Sequence, residues 1–183
     1  MIKDAARTGI LLWLWTFFSL AVAHSGLGGP VPAVREELAF AYDETWQLAS
    51  QAATPNRYMI MEFVRQGDDF RDWKELLTVQ NFSHRLDGRT PEDHLNGLKA
   101  LREQRCPGAT TWTVIDKDDA SILYEWWAEP CLGWPDQYEI ARIILGQFNV
   151  FIIHYAKKST RLDVRERAEW IRRLSEARVV RRM

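Results

Sequence analysis

Tyr138–Tyr155 reads YEIARIILGQFNVFIIHY. Two apolar runs flank Gly146-Gln147, and each run carries apolar residues on both of its sides. Ile140 and Ile144 stand against Ala141 and Ile143; Val150 and Ile152 stand against Phe151 and Ile153. A strand with one wet face alternates polar and apolar residues, whereas a strand covered on both faces need not. The stretch therefore predicts a β-hairpin at the centre of a sheet with cover on each side.

Upstream of this hairpin, Thr111–Asp116 and Ser121–Glu129 read as a second hairpin across Lys117-Asp118-Asp119. Alternation puts Ile122, Tyr124, Trp126 and Ala128 on one side, and Leu123, Glu125, Trp127 and Glu129 on the other. Further back, a strand over Thr45–Ala52 and another over Tyr58–Val64 form a hairpin across Thr54-Pro55-Asn56. Leu76–Ser83 is one more strand, followed by a polar connection from Ser83 to Gly88. Thr90-Pro91-Glu92-Asp93 starts a helix: Thr90 caps, Pro91 takes the first helical position, and the acids face the positive end of the helix dipole. Its buried stripe is expected at Leu95, Leu98 and Leu101, and its end near Gln104, before Cys106-Pro107-Gly108. Asp163 starts a last helix with Glu166 in the capping-box position. Val164, Ala168, Ile171 and Leu174, with Trp170 beside them, form its apolar stripe. Strands grouped in hairpins, with helices set apart from them, predict an α+β domain: a largely antiparallel sheet flanked by helices.

The chain of 183 residues is long enough for one domain with a sizeable core. The formal net charge of −1 gives no basic face for nucleic acid. Lys3 and Arg7 make a basic start, Gly9 to Val22 is apolar apart from Thr16 and Ser19, and Ala21-Val22-Ala23 fits the small-x-small cleavage pattern. Residues 1–23 are thus expected to be a signal peptide, with His24 the mature start. The alternative, a retained anchor, is disfavoured because the apolar run falls short of the ~18 residues a spanning helix needs. Export implies a periplasmic or secreted protein with no membrane segment after cleavage. An oxidising compartment favours joining Cys106 to Cys131, the only pair the chain offers; two buried free thiols are the alternative. Residues 24–36 read as a flexible leader, 37–178 as the domain, and 179–183 as a basic, frayed tail.

The order of motifs also carries a resemblance. Glu62-Phe63-Val64, then Gly67, then Trp73-Lys-Glu-Leu-Leu-Thr-Val-Gln80 resembles a motif of small secreted bacterial proteins of uncharacterised function. Cys106-Pro107, Leu123-Tyr-Glu-Trp126, Cys131 and Glu139-Ile-Ala-Arg142 are compatible with it. Those proteins are similar in outline to the Mog1/PsbP type of fold. The resemblance spans Trp46 to Ala177 and implies an antiparallel sheet flanked by helices, with an exported accessory or binding role. It supplies no catalytic residue.

Chemistry has few footholds. There is no Gly-x-Ser-x-Gly, no His-Glu-x-x-His and no phosphate loop, so neither a metal nor a cofactor is expected. Glu62, Glu125, Glu139, Arg142 and His154 all lie in expected strands. On a shared face they would form a polar pocket, with Glu62, Glu125 and His154 as its candidate residues. The plainer alternative pairs Glu139 with Arg142 and leaves His154 on the sheet's rim. Trp126, Trp127 and Trp134 lie near Cys131 in sequence and are candidate ligand contacts. Local core packing beside the disulfide is the plainer alternative; adjacent in a strand, Trp126 and Trp127 must face opposite ways, so one can be core while the other is exposed or lies under a helix. Three functions fit: an exported non-enzymatic binding or accessory domain for a protein or small ligand, a periplasmic immunity or interaction protein, and a small exported hydrolase using Glu62 or Glu125 with His154.

Overall fold

The computed structural model describes residues 35–54, 58–83 and 88–182. The signal segment, the leader as far as residue 34, the Pro55-Asn56 turn and residues 84–87 of the polar connection lie outside them. The elements in order are β1 (Arg35–Ala39), β2 (Trp46–Ala53), β3 (Met59–Arg65), β4 (Glu75–Ser83), α1 (Pro91–Arg105), β5 (Thr110–Lys117), β6 (Ser121–Ala128), β7 (Gln137–Leu145), β8 (Asn149–Lys157), α2 (Val164–Glu176) and β9 (Arg178–Arg182). A one-turn helix, Phe70–Asp72, breaks the charged loop before β4.

Strands β2 to β8 make one antiparallel sheet in the order β2-β3-β4-β8-β7-β6-β5. The chain builds one side as a meander, crosses through α1 to the far edge, and meanders back until β8 closes beside β4. The β7–β8 hairpin is therefore interior, as its doubly apolar pattern requires. Ile140, Ile143 and Ile153 are fully buried. Each such side chain contributes roughly 1.5–3 kcal/mol by leaving water.

Each face of this sheet has its own core. On one, Leu77, Ile140, Ile153 and Tyr155 meet Trp170 and Leu174 of α2. On the other, Ile122, Tyr124, Ala141, Ile143, Val150 and Ile152 meet Leu95 of α1. The alternation expected of β6 holds: Ile122, Tyr124, Trp126 and Ala128 all serve the α1 face.

Both helix starts form where the sequence places them. At α1, Thr90 Oγ1 accepts from the Asp93 N–H at 3.1 Å, and Asp93 accepts from the Thr90 N–H at 2.8 Å. At α2, Asp163 accepts from the N–H groups of Arg165 and Glu166. Glu166 does not complete that box. It turns instead to the sheet, where it accepts from the Tyr155 hydroxyl and from Lys157 Nζ at 2.8 Å. The expected α2 stripe is rotated as well: Val164 is 81% exposed, while Trp170 and Leu174 are buried. Trp170 stacks on Tyr155 with ring centroids 4.0 Å apart. Burying that large ring outweighs burying Val164 or Ala168.

The two outer segments differ from the expectation. Arg35 and Glu36, read as leader, begin β1, and the basic tail is not frayed but forms β9. The two pair antiparallel from Arg35↔Arg182 to Ala39↔Arg178. Glu37 and Arg182 form an ion pair at 2.7 Å. The neighbouring carboxylate of Glu36 is buried and accepts from the backbone N–H groups of Gln147, Phe148 and Asn149 at 2.6, 2.9 and 3.0 Å. It thereby fastens the β1–β9 ribbon to the turn of the central hairpin. Cys106 and Cys131 are joined by a disulfide, with Cα atoms 6.1 Å apart.

Candidate functional site

Register decides which polar side chains meet. In β6 and β7, Trp127 lies opposite Tyr138, and Trp126 lies opposite Glu139. Side chains alternate along a strand, so Glu125, Trp127 and Tyr138 share the α2 face while Trp126 and Glu139 share the α1 face.

On the α2 face these residues line a cleft of about 370 Å³, completed by Thr160 and Arg161 of the β8–α2 loop and by Arg167 of α2. Trp127 stacks on Tyr138, with centroids 5.9 Å apart and planes within 10°. Glu125 is 5% exposed and accepts three hydrogen bonds. Tyr138 donates its hydroxyl to Oε2 at 2.6 Å, and Arg167 donates from Nε to Oε2 at 2.7 Å and from Nη2 to Oε1 at 2.8 Å. Burial pushes the Glu125 carboxyl up, but the hydrogen bonds from Arg167 and Tyr138 outweigh it and hold the group below its ordinary value. Burial, reinforced by the Glu125 carboxylate, pushes the Tyr138 phenol up to about 12. The Glu125 hydrogen bonds raise the Arg167 guanidinium further. The base of the cleft is thus a fixed, neutralised pair. Arg161, by contrast, is exposed and forms no ion pair among the described residues.

On the α1 face Glu139 is the hub. Its Oε1 accepts from Trp126 Nε1 at 2.9 Å and lies 2.7 Å from His154 Nδ1. The Arg102 guanidinium sits over the Trp126 ring, 4.6 Å from its centre. His154 Nε2 is buried without a hydrogen-bond partner among the described residues. With Trp126 and Glu139 both buried, the hub is a packed polar network rather than a cleft. No family model matches the chain, and no curated protein matches it.

The expected groupings are only partly met. Glu125 and His154 lie on opposite faces, so they do not form an acid–base pair. Glu62 lies opposite Thr78, and Thr78 lies opposite His154. Glu62 and His154 therefore share a face but stand two strands apart, roughly 10 Å. Burial raises the Glu62 carboxyl, against a hydrogen bond from Ser50 that lowers it. Glu139 and Arg142 do not pair either, because an odd separation in a strand sends them to opposite faces. Arg142 instead donates to the carbonyls of Leu174, Ser175 and Ala177 at 3.0, 2.6 and 3.0 Å, closing the end of α2. Nor do the three tryptophans converge. Trp126 is buried on the α1 face, Trp127 lines the cleft, and Trp134 is 43% exposed on the Cys131 loop.

A larger groove of about 680 Å³ lies along Leu38–Asp43 and the end of α2. Arg173 pairs there with Asp43 at 3.2 Å and Arg172 with Glu176 at 2.7 Å, and Arg178 also lines it. Among the described residues no group of three His, Cys, Asp or Glu is placed to hold a metal ion, and no helix is long and apolar enough to cross a membrane. Reading the sequence missed Tyr138, Thr160, Arg161 and Arg167. Tyr138 was within reach, being fixed by the β6–β7 register; the other three come from a loop and a helix whose placement no local pattern encodes.

Proposed function

We propose that the chain is an exported, non-enzymatic binding domain whose site is the Trp127–Tyr138 cleft. One observation carries this reading. The single buried carboxylate of the cleft, Glu125, is bonded to three donors and held ionised, so it is neither a general acid nor a base waiting for a proton. What remains for a ligand is an aromatic wall and a rim of polar and cationic groups, the usual make-up of a small-molecule site. The cleft is preformed, because the Glu125–Arg167–Tyr138 bonds hold α2, β6 and β7 in one geometry, and this lowers the cost of binding. The apolar run ahead of Ala21-Val22-Ala23 and the Cys106–Cys131 disulfide support a periplasmic or secreted location.

The test is a thermal-shift screen of small molecules against the full chain and against Trp127→Ala. A compound that stabilises the first and not the second supports the reading. Compounds that stabilise both equally, or none that stabilises either, contradict it.

A further inference from the structure

We infer that the cleft selects a small carboxylate carried on a flat or aromatic body; this rests on the binding reading above. The reason is the charge left over. Glu125 and Arg167 neutralise each other through two parallel hydrogen bonds, and the third strong donor, the Tyr138 hydroxyl, is also spent on Glu125. Of the charges that line the cleft, Arg161 alone has no ion-pair partner among the described residues. The cleft therefore presents one uncompensated positive charge.

A cationic ligand meets a Glu125 charge that Arg167 already neutralises, and Arg161 repels it. A neutral ligand leaves the Arg161 donors to water. A carboxylate offers two acceptors to a planar guanidinium, the pairing that Arg makes best. Thr160 lines the same cleft and carries a hydroxyl that can donate one further hydrogen bond. The stacked Trp127 and Tyr138 rings line the same cleft and offer a flat apolar body a surface to lie against. The volume of about 370 Å³ lies near the small end of ligand sites, so the occupant is a compact acid rather than a folded partner.

Titration calorimetry of the full chain with phenylacetate, phenylacetamide and phenethylamine tests this. These three share the ring and differ in charge. The acid should bind about tenfold more tightly than the amide, the loss expected when one charge-assisted contact goes. The amine should bind most weakly. Arg161→Gln should remove the advantage of the acid and leave the amide unchanged, whereas Trp127→Leu should weaken all three. If Trp127→Leu does not fold, an NMR contact between the phenyl ring and the Trp127 indole in the unaltered chain answers the same question. Amide or amine binding as tight as the acid, still dependent on Trp127, overturns the anion preference and spares the cleft. No binding by any of the three, or acid binding that ignores both variants, removes the cleft as a site altogether.

Discussion

Glu36 occupies the space that a side chain at Gly146 would need. A Cβ built on Gly146 would lie 2.8 Å from Glu36 Cδ and against its carboxylate oxygens, well inside contact distance. The carboxylate is there to receive three N–H groups from the β7–β8 turn. The glycine and the acid, far apart in the chain, therefore act as one fitting that holds the β1–β9 ribbon on the central hairpin. Gly146→Ala should cost about 1–3 kcal/mol, because it either crowds the carboxylate or expels it and leaves buried donors unpaired. In a Glu36→Ala background the same change should cost much less, since the clash is gone. Denaturant unfolding of the four proteins gives the coupling; strictly additive costs would contradict the fitting.

Arg142 closes α2 by donating to the carbonyls of Leu174 and Ser175 in its last turn and of Ala177 just beyond it. Arg142→Leu should free these acceptors and cost about 1–3 kcal/mol. Amide exchange should quicken in the last turn of α2 before it changes in β8. Unchanged exchange there would mean that Arg142 has no part in ending the helix.

Glu125 gives a pH signature with a defined sign. Its carboxyl is held below its ordinary value in the folded chain. Its contribution is therefore fully present above the unfolded carboxyl pKa of about 4.3 and is lost as pH falls through the lower folded value. The stability gap between the parent and Glu125→Gln should be widest near neutrality, about 2 kcal/mol for a charge-assisted set of this kind. It should close in acid. A gap that stays constant or widens in acid contradicts the assigned bonds.

The disulfide closes a separation of 25 residues between the end of α1 and the loop after β6. Opening it with reductant, or by Cys106→Ser with Cys131→Ser, should lower stability by about 3 kcal/mol in the chain-entropy picture. Chemical unfolding with and without reductant measures this directly; equal midpoints would show that the cross-link does not restrict the unfolded chain.

What the sequence reveals and what it hides follow from the range of the forces involved. The interior hairpin is legible because Ile140, Ile143, Ile152 and Ile153 declare both faces apolar within one short stretch. Thr90 and Asp163 are legible because a cap acts over three residues. The β1–β9 ribbon is not legible: RVVRR looks like a charged tail until a strand from the other end of the domain lies beside it. Parity in a strand explains the site. It separates Trp126 from Trp127, as expected, and by the same rule it splits Glu139 from Arg142; the cross-strand register, which places Glu125 in line with Ile140 and Tyr155, puts His154 on the other face. Arg161 and Arg167 reach the cleft only because α2 returns across the sheet, and no spacing in their own segment encodes that.

The most direct measurement of the central claim is hydrogen-exchange mass spectrometry on the full chain, with and without saturating phenylacetate. Binding in the cleft predicts slower exchange in Glu125–Ala128, Gln137–Glu139 and the Thr160–Arg167 segment, with α1, β2 and β3 unchanged. Protection confined to α1, or to β2 and β3, would contradict it.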